Sequence, residues 1–378
     1  MVDLVVEFCG LKFRNPVLTA AGPPVRDAER IKRCIEGGAG GIVSKTISVK
    51  AADPFIPRPH MAEVKGAFLN TELWSELSPE EWFEKHLKEA RKATKVAGIP
   101  LIVSLGYTAE EIAKLVPEVE KYADGLELSV HYIGADPTPM QESVKAAKKS
   151  GLPVFLKLSP HPGIDPILWA KKALEAGADG ISAINSFGPV LALDLSTPIP
   201  LERVKGLPVM GGDKGYGWLS GPPLRYLAQR IIFEVARALP NVPIIGVGGV
   251  ASGRDAVEML MVGAWAVGVC TAAILNGPQI YGKIAKEIAE VLEKLGFKSV
   301  EEVRGYTIKN WNKRWIRYKS TPPKLYVEKC VGCRLCEISC PYDAIKVVNG
   351  KAKLFEDKCF GCGLCATRCR HGALEMQL

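Results

Sequence analysis

Eight of the chain's eleven cysteines fall in two runs of one spacing, C-x2-C-x2-C-x3-C: Cys330, Cys333, Cys336 and Cys340, then Cys359, Cys362, Cys365 and Cys369. Thiolates this close converge on one inorganic centre only where the chain turns tightly, and Gly332, Gly361 and Gly363 supply the turns. Zinc would call for separate C-x2-C pairs rather than overlapping triplets. The start, MVDLVVEF, lacks the apolar segment that would send a chain to a disulfide-forming compartment. The spacing therefore points to two [4Fe–4S] clusters, which move one electron at a time. Oxygen-sensitive chemistry of that kind sets the expectation of a cytoplasmic protein.

The doubled run resembles that of two-cluster bacterial ferredoxins, where the fourth cysteine of each run ligates the other cluster. The resemblance implies Cys330, Cys333, Cys336 and Cys369 on one cluster, and Cys359, Cys362, Cys365 and Cys340 on the second. Pro341 follows the first run as in that pattern, while Arg370 stands where a second proline would be. Cys9, Cys34 and Cys270 read as ordinary apolar core residues.

The elements ahead of the cysteines must supply whatever exchanges electrons with them. The chain has 378 residues and a net charge of +8, enough for one large domain and a small one. Residues 304–324 carry seven Lys or Arg and no acid, with Tyr306, Trp311, Trp315 and Tyr318 interleaved. That strip is either a docking surface for an acidic partner or a connector with wet charges and packed aromatics; the second fits the usual behaviour of charge runs. The expected organisation is a catalytic domain over 1–303, a basic linker over 304–324 and a two-cluster domain over 325–378. No apolar stretch reaches membrane-spanning length.

Within 1–303, eight short apolar runs alternate with amphipathic stretches: VLTAA, GIVSKT, PLIVSLG, GLELSV, PVFLKLS, GISAINS, PIIGVGGV and AVGVCTA. Phrases such as EAGADGI mark helix ends capped by glycine before the next strand. The fold class is α/β: a (β/α)8 barrel followed by a small α+β ferredoxin-like domain. A doubly wound sheet is the alternative, but AAGPP does not resemble a nucleotide-binding first turn. Residues 187–219 show no periodic element and read as a long loop at the barrel mouth.

Function in such barrels sits where strands end. Those ends offer Lys45 and Thr46, Ser104, Ser129, Lys157, Asn185 and Ser186, Gly248 and Gly249, and Thr271. A lysine inside an apolar strand is costly to bury unpaired. Lys45 and Lys157 thus face an anionic or electron-rich ligand, or each caps its strand through a salt bridge. The glycine-rich ends of strands seven and eight suit a phosphate cradle. GVGGVA fits a dinucleotide pattern by letter only, since no acid follows where a ribose partner belongs.

The phrases NPVLTAAG, GIVSKT, FLNTELWSE, LKLSP, INS, LSGPPLR and PIIGVGGV resemble the FMN-binding barrel of the dihydroorotate and dihydropyrimidine dehydrogenases. The resemblance spans nearly the whole chain, and the barrel-plus-two-cluster order is most similar to the pyrimidine-reducing part of dihydropyrimidine dehydrogenase. It implies FMN in the mouth, with Ala20, Ala21 and Gly22 along the flavin, Lys45 and Thr46 near its ring, and Lys157 at the N1/C2 edge. Gly221, Gly248, Gly249 and Thr271 would hold the phosphate and ribityl chain. Asn70 and Asn185, with Ser129 and Ser186, would meet the substrate, and Lys45 joins the catalytic set. The family typically reads E-L-N-x-S-C-P after strand four, its cysteine transferring the proton. This chain reads Glu127, Leu128, Ser129, Val130, His131, Tyr132, Ile133. Tyr132, and beside it His131, are the expected replacements, with His161 a third candidate.

The expected activity is oxidation or reduction of a C–C/C=C bond in a pyrimidine-like small molecule. Electrons would pass between FMN, the two clusters and a partner: ferredoxin or a separate NAD(P)H-flavoprotein subunit, in a homo- or hetero-oligomer. Alternatives are the same electron chain on a non-pyrimidine substrate, a tRNA-uridine reductase, or a pure electron-transfer subunit. No membrane and no nucleic acid are expected as partners.

Overall fold

The structure, a computed structural model, describes residues 2–130, 136–161, 163–194, 206–313 and 321–376. They divide into two compact units, Met1–Lys309 and Asn310–Leu378. No described helix is long and apolar enough to cross a membrane.

In the larger unit eight parallel strands form one sheet: β1 (Val17–Thr19), β2 (Ile42–Val43), β3 (Leu101–Leu105), β4 (Gly125–Leu128), β5 (Val154–Leu158), β6 (Gly180–Ala183), β7 (Ile244–Val247) and β8 (Ala266–Val269). From β2 to β8 each pairs with the next in sequence, and β8 pairs with β1. Closure falls between β1 and β2, where Leu18 bridges Gly41. Thr19 Oγ1 donates to the Val43 carbonyl at 2.9 Å and accepts the Val43 amide at 2.8 Å. One threonine hydroxyl thus stitches the shortest strand into the barrel.

Helices alternate with the strands because their apolar stripes need the sheet's outer face. Side-chain caps fix where they begin: Asp27 before Ala28–Glu36, Thr108 before Ala109–Val119, Asp165 before Pro166–Glu175 and Ser252 before Gly253–Met261. Thr108 and Glu111 complete a reciprocal capping box. A hairpin, Val6–Phe8 with Leu11–Phe13, plugs the barrel floor. Phe8 stacks on Phe13 with centroids 4.7 Å apart and meets Phe155 edge-on at 5.9 Å.

The mouth departs from the sequence reading. Among the described residues of 187–219, Phe187–Val190 and Gly217–Ser220 are strands in an antiparallel sheet with Ala67–Asn70 and Met61–Val64. Leu193–Asp194 pairs with Leu207–Pro208. Their residues, FGPV and GWLS, have weak strand propensity, they pair with each other across some 30 residues, and GWLS also pairs with Ala67–Asn70 about 150 residues away, so no local period announces them.

The smaller unit repeats one half twice. Each half has a single turn (Val327–Lys329, Glu356–Lys358), a cysteine triplet, and a five-residue helix (Leu335–Ser339, Leu364–Arg368) that ends at the fourth cysteine. Lys324–Leu325 pairs with Leu374–Glu375, and Ile345–Val348 with Lys351–Leu354.

Candidate active site and cluster sites

The strand ends and the antiparallel sheet enclose a cavity of about 520 Å³. The flavin and substrate residues expected from the family resemblance line it, while Ser104 and His161 do not, and His131 and Tyr132 lie outside the described residues. One wall is Ala20, Ala21 and Gly22 beyond β1, with Lys45 and Thr46 beyond β2. Ser129, Lys157, Asn185 and Ser186 follow on β4 to β6, and Gly221, Gly248, Gly249 and Thr271 lie opposite. His161, the third proton-transfer candidate, is buried with Nδ1 3.2 Å from the Gly188 carbonyl, and it is not among the lining residues.

A buried polar network lies beneath the cavity. Strand register sets Ser104 beside Glu127 and Ser182 beside Lys157. Glu127, 1 % exposed, accepts from Ser182 Oγ at 2.7 Å and Ser104 Oγ at 3.3 Å, and stands 3.4 Å from Lys157 Nζ. Ser104 Oγ also meets Thr46 Oγ1 at 3.0 Å. A buried carboxylate persists only when charge and hydrogen bonds compensate it, and this one has both.

The second lysine is paired too. Lys45 Nζ lies 2.5 Å from Glu72 Oε2, and Glu72 Oε1 lies 3.6 Å from His60 Nε2. Asn70, on the adjoining strand, accepts the Glu72 amide at 3.2 Å and donates to the Trp218 carbonyl at 3.3 Å. Asn70 therefore positions Glu72 as well as facing the cavity. Sequence reasoning assigned no role to Glu72 or Glu127; a lysine at each of two strand ends was the signal that two acids had to be near.

Cys270 was read as an inert core residue within a strand. It lies just past β8 and lines the cavity. Burial pushes its thiol up to about 11, with Lys157 and Lys45 opposing the shift. Tyr107, edge-on to Trp74 at 5.2 Å, is another lining residue missed by sequence; burial raises its phenol well above the usual range.

The donor set fits a flavin mononucleotide. Gly221, Gly248 and Gly249 have φ of +81°, +124° and +77°, so the backbone there takes a left-handed form that favours glycine. A Cβ on Gly249 would lie 2.7 Å from the Arg225 nitrogen and 2.9 Å from the Gly221 carbonyl oxygen. This is a close-packed backbone cradle suited to a phosphate, and Thr271 opens a short helix at its edge. The rest of the lining is largely apolar and aromatic, including Phe68, Trp74 and Trp218, with Lys45, Lys157, Asn70 and Asn185 among its polar groups.

In the smaller unit the cysteines divide between two small cavities. Cys330, Cys333, Cys336 and Cys369 line one; Cys340, Cys359, Cys362 and Cys365 line the other. That division is the crossed one implied by the ferredoxin resemblance. No three described His, Cys, Asp or Glu side chains converge on a single ion, whereas a cubane spreads its four thiolates over four irons. Amides of Ala344 and Ala373 donate to Cys340 Sγ and Cys369 Sγ at 3.3 and 3.2 Å, one in each half. Such bonds tune cluster potential.

Comparison with known proteins follows the same division. Residues 3–292 match the family described as dihydroorotate dehydrogenase, and residues 329–373 match the 4Fe-4S dicluster domain. The chain is 34% identical over 314 residues to the catalytic subunit of dihydroorotate dehydrogenase B (NAD(+)) from Methanothermobacter thermautotrophicus, covering 80% of this chain and 97% of that one. The corresponding subunit from Pyrococcus abyssi is 33% identical over 317 residues, 81% of this chain and 99% of its own. Similarity to the NAD-dependent dihydropyrimidine dehydrogenase subunit PreA of Escherichia coli K12 is 30% over 367 residues, 90% of this chain and 86% of that subunit.

Proposed function

The chain belongs to the dihydroorotate dehydrogenase family and is an oxidoreductase of CH–CH bonds that uses FMN and two [4Fe–4S] clusters; we propose that its substrate is a neutral dihydropyrimidine rather than dihydroorotate. The charge balance of the cavity carries this reading. Lys45 and Lys157 are the only Lys or Arg among the described lining residues, and each is paired with a glutamate. A substrate carboxylate would meet no uncompensated cation there and would face the Glu72 carboxylate in a low-dielectric site. A neutral cyclic amide suits Asn70, Asn185, Ser129 and Ser186, which offer donors and acceptors to its N–H and C=O edges. The match to the PreA subunit, which covers more of this chain than the archaeal matches do, favours the same class.

When bound, the flavin accepts a hydride as a pair of electrons, and the clusters pass electrons singly. Ala20, Ala21 and Gly22 would lie along its ring and Lys157 at its N1/C2 edge, with Glu127 fixing that lysine's position. The glycine cradle and Thr271 would hold its phosphate. The external partner is ferredoxin or an NAD(P)H-flavoprotein subunit, a reading favoured by the subunit status in the relatives' names.

The test is anaerobic bleaching of the oxidised, cluster-loaded protein by dihydrouracil, dihydrothymine and dihydroorotate in turn. Dihydrouracil or dihydrothymine should bleach the flavin rapidly and dihydroorotate should not. Bleaching by dihydroorotate alone would overturn the substrate reading.

A further inference from the structure

We propose that Glu72 takes the proton lost from the substrate carbon and that His60 carries it to solvent. The inference rests on the CH–CH chemistry above, and it gives Glu72 the task that sequence alone assigns to Tyr132 or His131. The titratable side chains among the described lining residues are Lys45, Lys157, Glu72, Tyr107 and Cys270. Both lysines are engaged in ion pairs with glutamates. Tyr107 and Cys270 are shifted by burial toward their protonated forms. Glu72 is the carboxylate in the set, and so the group with a basic oxygen to offer.

Its placement suits a proton route. The Asn70 side chain holds its backbone, Lys45 holds Oε2, and Oε1 points to His60. His60 immediately precedes the strand Met61–Val64, where the Thr71 amide donates to its carbonyl at 2.8 Å and Met61 is in register with Asn70. Its side chain is 26 % exposed against 13 % for Glu72, so the imidazole spans buried acid and solvent. The 3.6 Å gap is longer than a hydrogen bond and is closed by a small rotation or one water.

The step balances. With FMN held in the cavity, the flavin would supply the acceptor for the hydride, with its electron pair, from one substrate C–H bond. The neighbouring carbon gives its proton to the Glu72 carboxylate, and the electrons of that bond form C=C. Glu72 passes the proton to His60 Nε2, and His60 releases one to water. Pyrimidine reduction runs the same path backward.

The experiment follows flavin reduction by stopped flow in the anaerobic holoprotein, with dihydrouracil or dihydrothymine as reductant, comparing wild type, Glu72→Gln, Glu72→Asp, His60→Gln and Tyr132→Phe. FMN content and reduction by dithionite check each variant's site. Glu72→Gln should slow flavin reduction by about 10²–10⁴-fold, the usual contribution of a general base, with FMN retained and Glu72→Asp recovering part of the rate. His60→Gln should be slower than wild type, with a larger solvent deuterium effect, and added imidazole should restore it. Tyr132→Phe should stay faster than Glu72→Gln. His60→Asn replaces His60→Gln if the latter loses FMN. A His60 variant that keeps the wild-type rate, or is slowed but ignores imidazole, overturns the route, as does Tyr132→Phe slower than Glu72→Gln. A wild-type flavin bleached by neither reductant overturns the substrate reading and the route together.

Discussion

The cavity holds two lysine–glutamate pairs, and the difference between them is instructive. Lys157–Glu127 belongs to the floor: both side chains are almost wholly buried, and two serines on flanking strands share the carboxylate. Lys45–Glu72 belongs to the mouth: its glutamate follows the strand Ala67–Asn70 rather than sitting in a barrel strand, and its second oxygen looks toward a partly exposed histidine. The same ion pair is a fixed brace where neighbours fill its hydrogen bonds, and an exchangeable one where an imidazole replaces them. Surroundings, more than residue type, separate structure from chemistry here.

Stability measurements can break this contrast. Glu127→Ala should have the largest effect, costing about 3–5 kcal/mol by stranding Lys157 in the floor, read from the urea midpoint. Glu72→Ala should cost clearly less in the same titration, since Glu72 itself is partly exposed and its second neighbour His60 reaches water, although Lys45 is as buried as Lys157; equal costs would mean the two pairs are alike. Alkaline pH probes the thiols. Burial raises Cys9 and Cys270 from an ordinary 9.0 to about 11 and Cys34 to about 12. The unfolded chain therefore loses these protons first. Their contribution is complete below pH 9 and lost as pH rises through 11 to 12, so the melting temperature should fall over that window. The smallest change belongs to Trp218, whose Nε1 is buried with no hydrogen-bond partner among the described residues. Trp218→Phe removes the unsatisfied donor and should leave stability unchanged or raise it by about 1 kcal/mol; a large loss would show that the mouth sheet is as tightly specified as the floor.

Legibility in the sequence followed locality. The eight barrel strands and the cysteine runs are contiguous patterns and could be read directly. The glycines and lysines at strand ends stood out because such residues are unusual there; that they would hold FMN was implied by the family resemblance. Glu72 and Glu127 lie 27 and 30 residues from their lysines, and only barrel closure and strand register bring them together. The mouth sheet was missed for the same reason, as was Cys270, whose letters look like the apolar strand before it. Tyr306, at the start of the basic strip, lies edge-on to Phe297 at 5.1 Å.

The cluster unit has almost nothing else to fold around. Its buried apolar core is Cys336, Ile345, Ala352 and Leu374, with further cysteines packed against it. So small an oil drop cannot hold two half-domains together. Because each cavity draws one thiolate from the opposite half, the inorganic cubes act as rivets through both. Iron is thus a folding ligand for this unit as well as its wiring. A cell starved of iron would make a chain whose flavin barrel is intact and whose electrical contact is an unstructured tail.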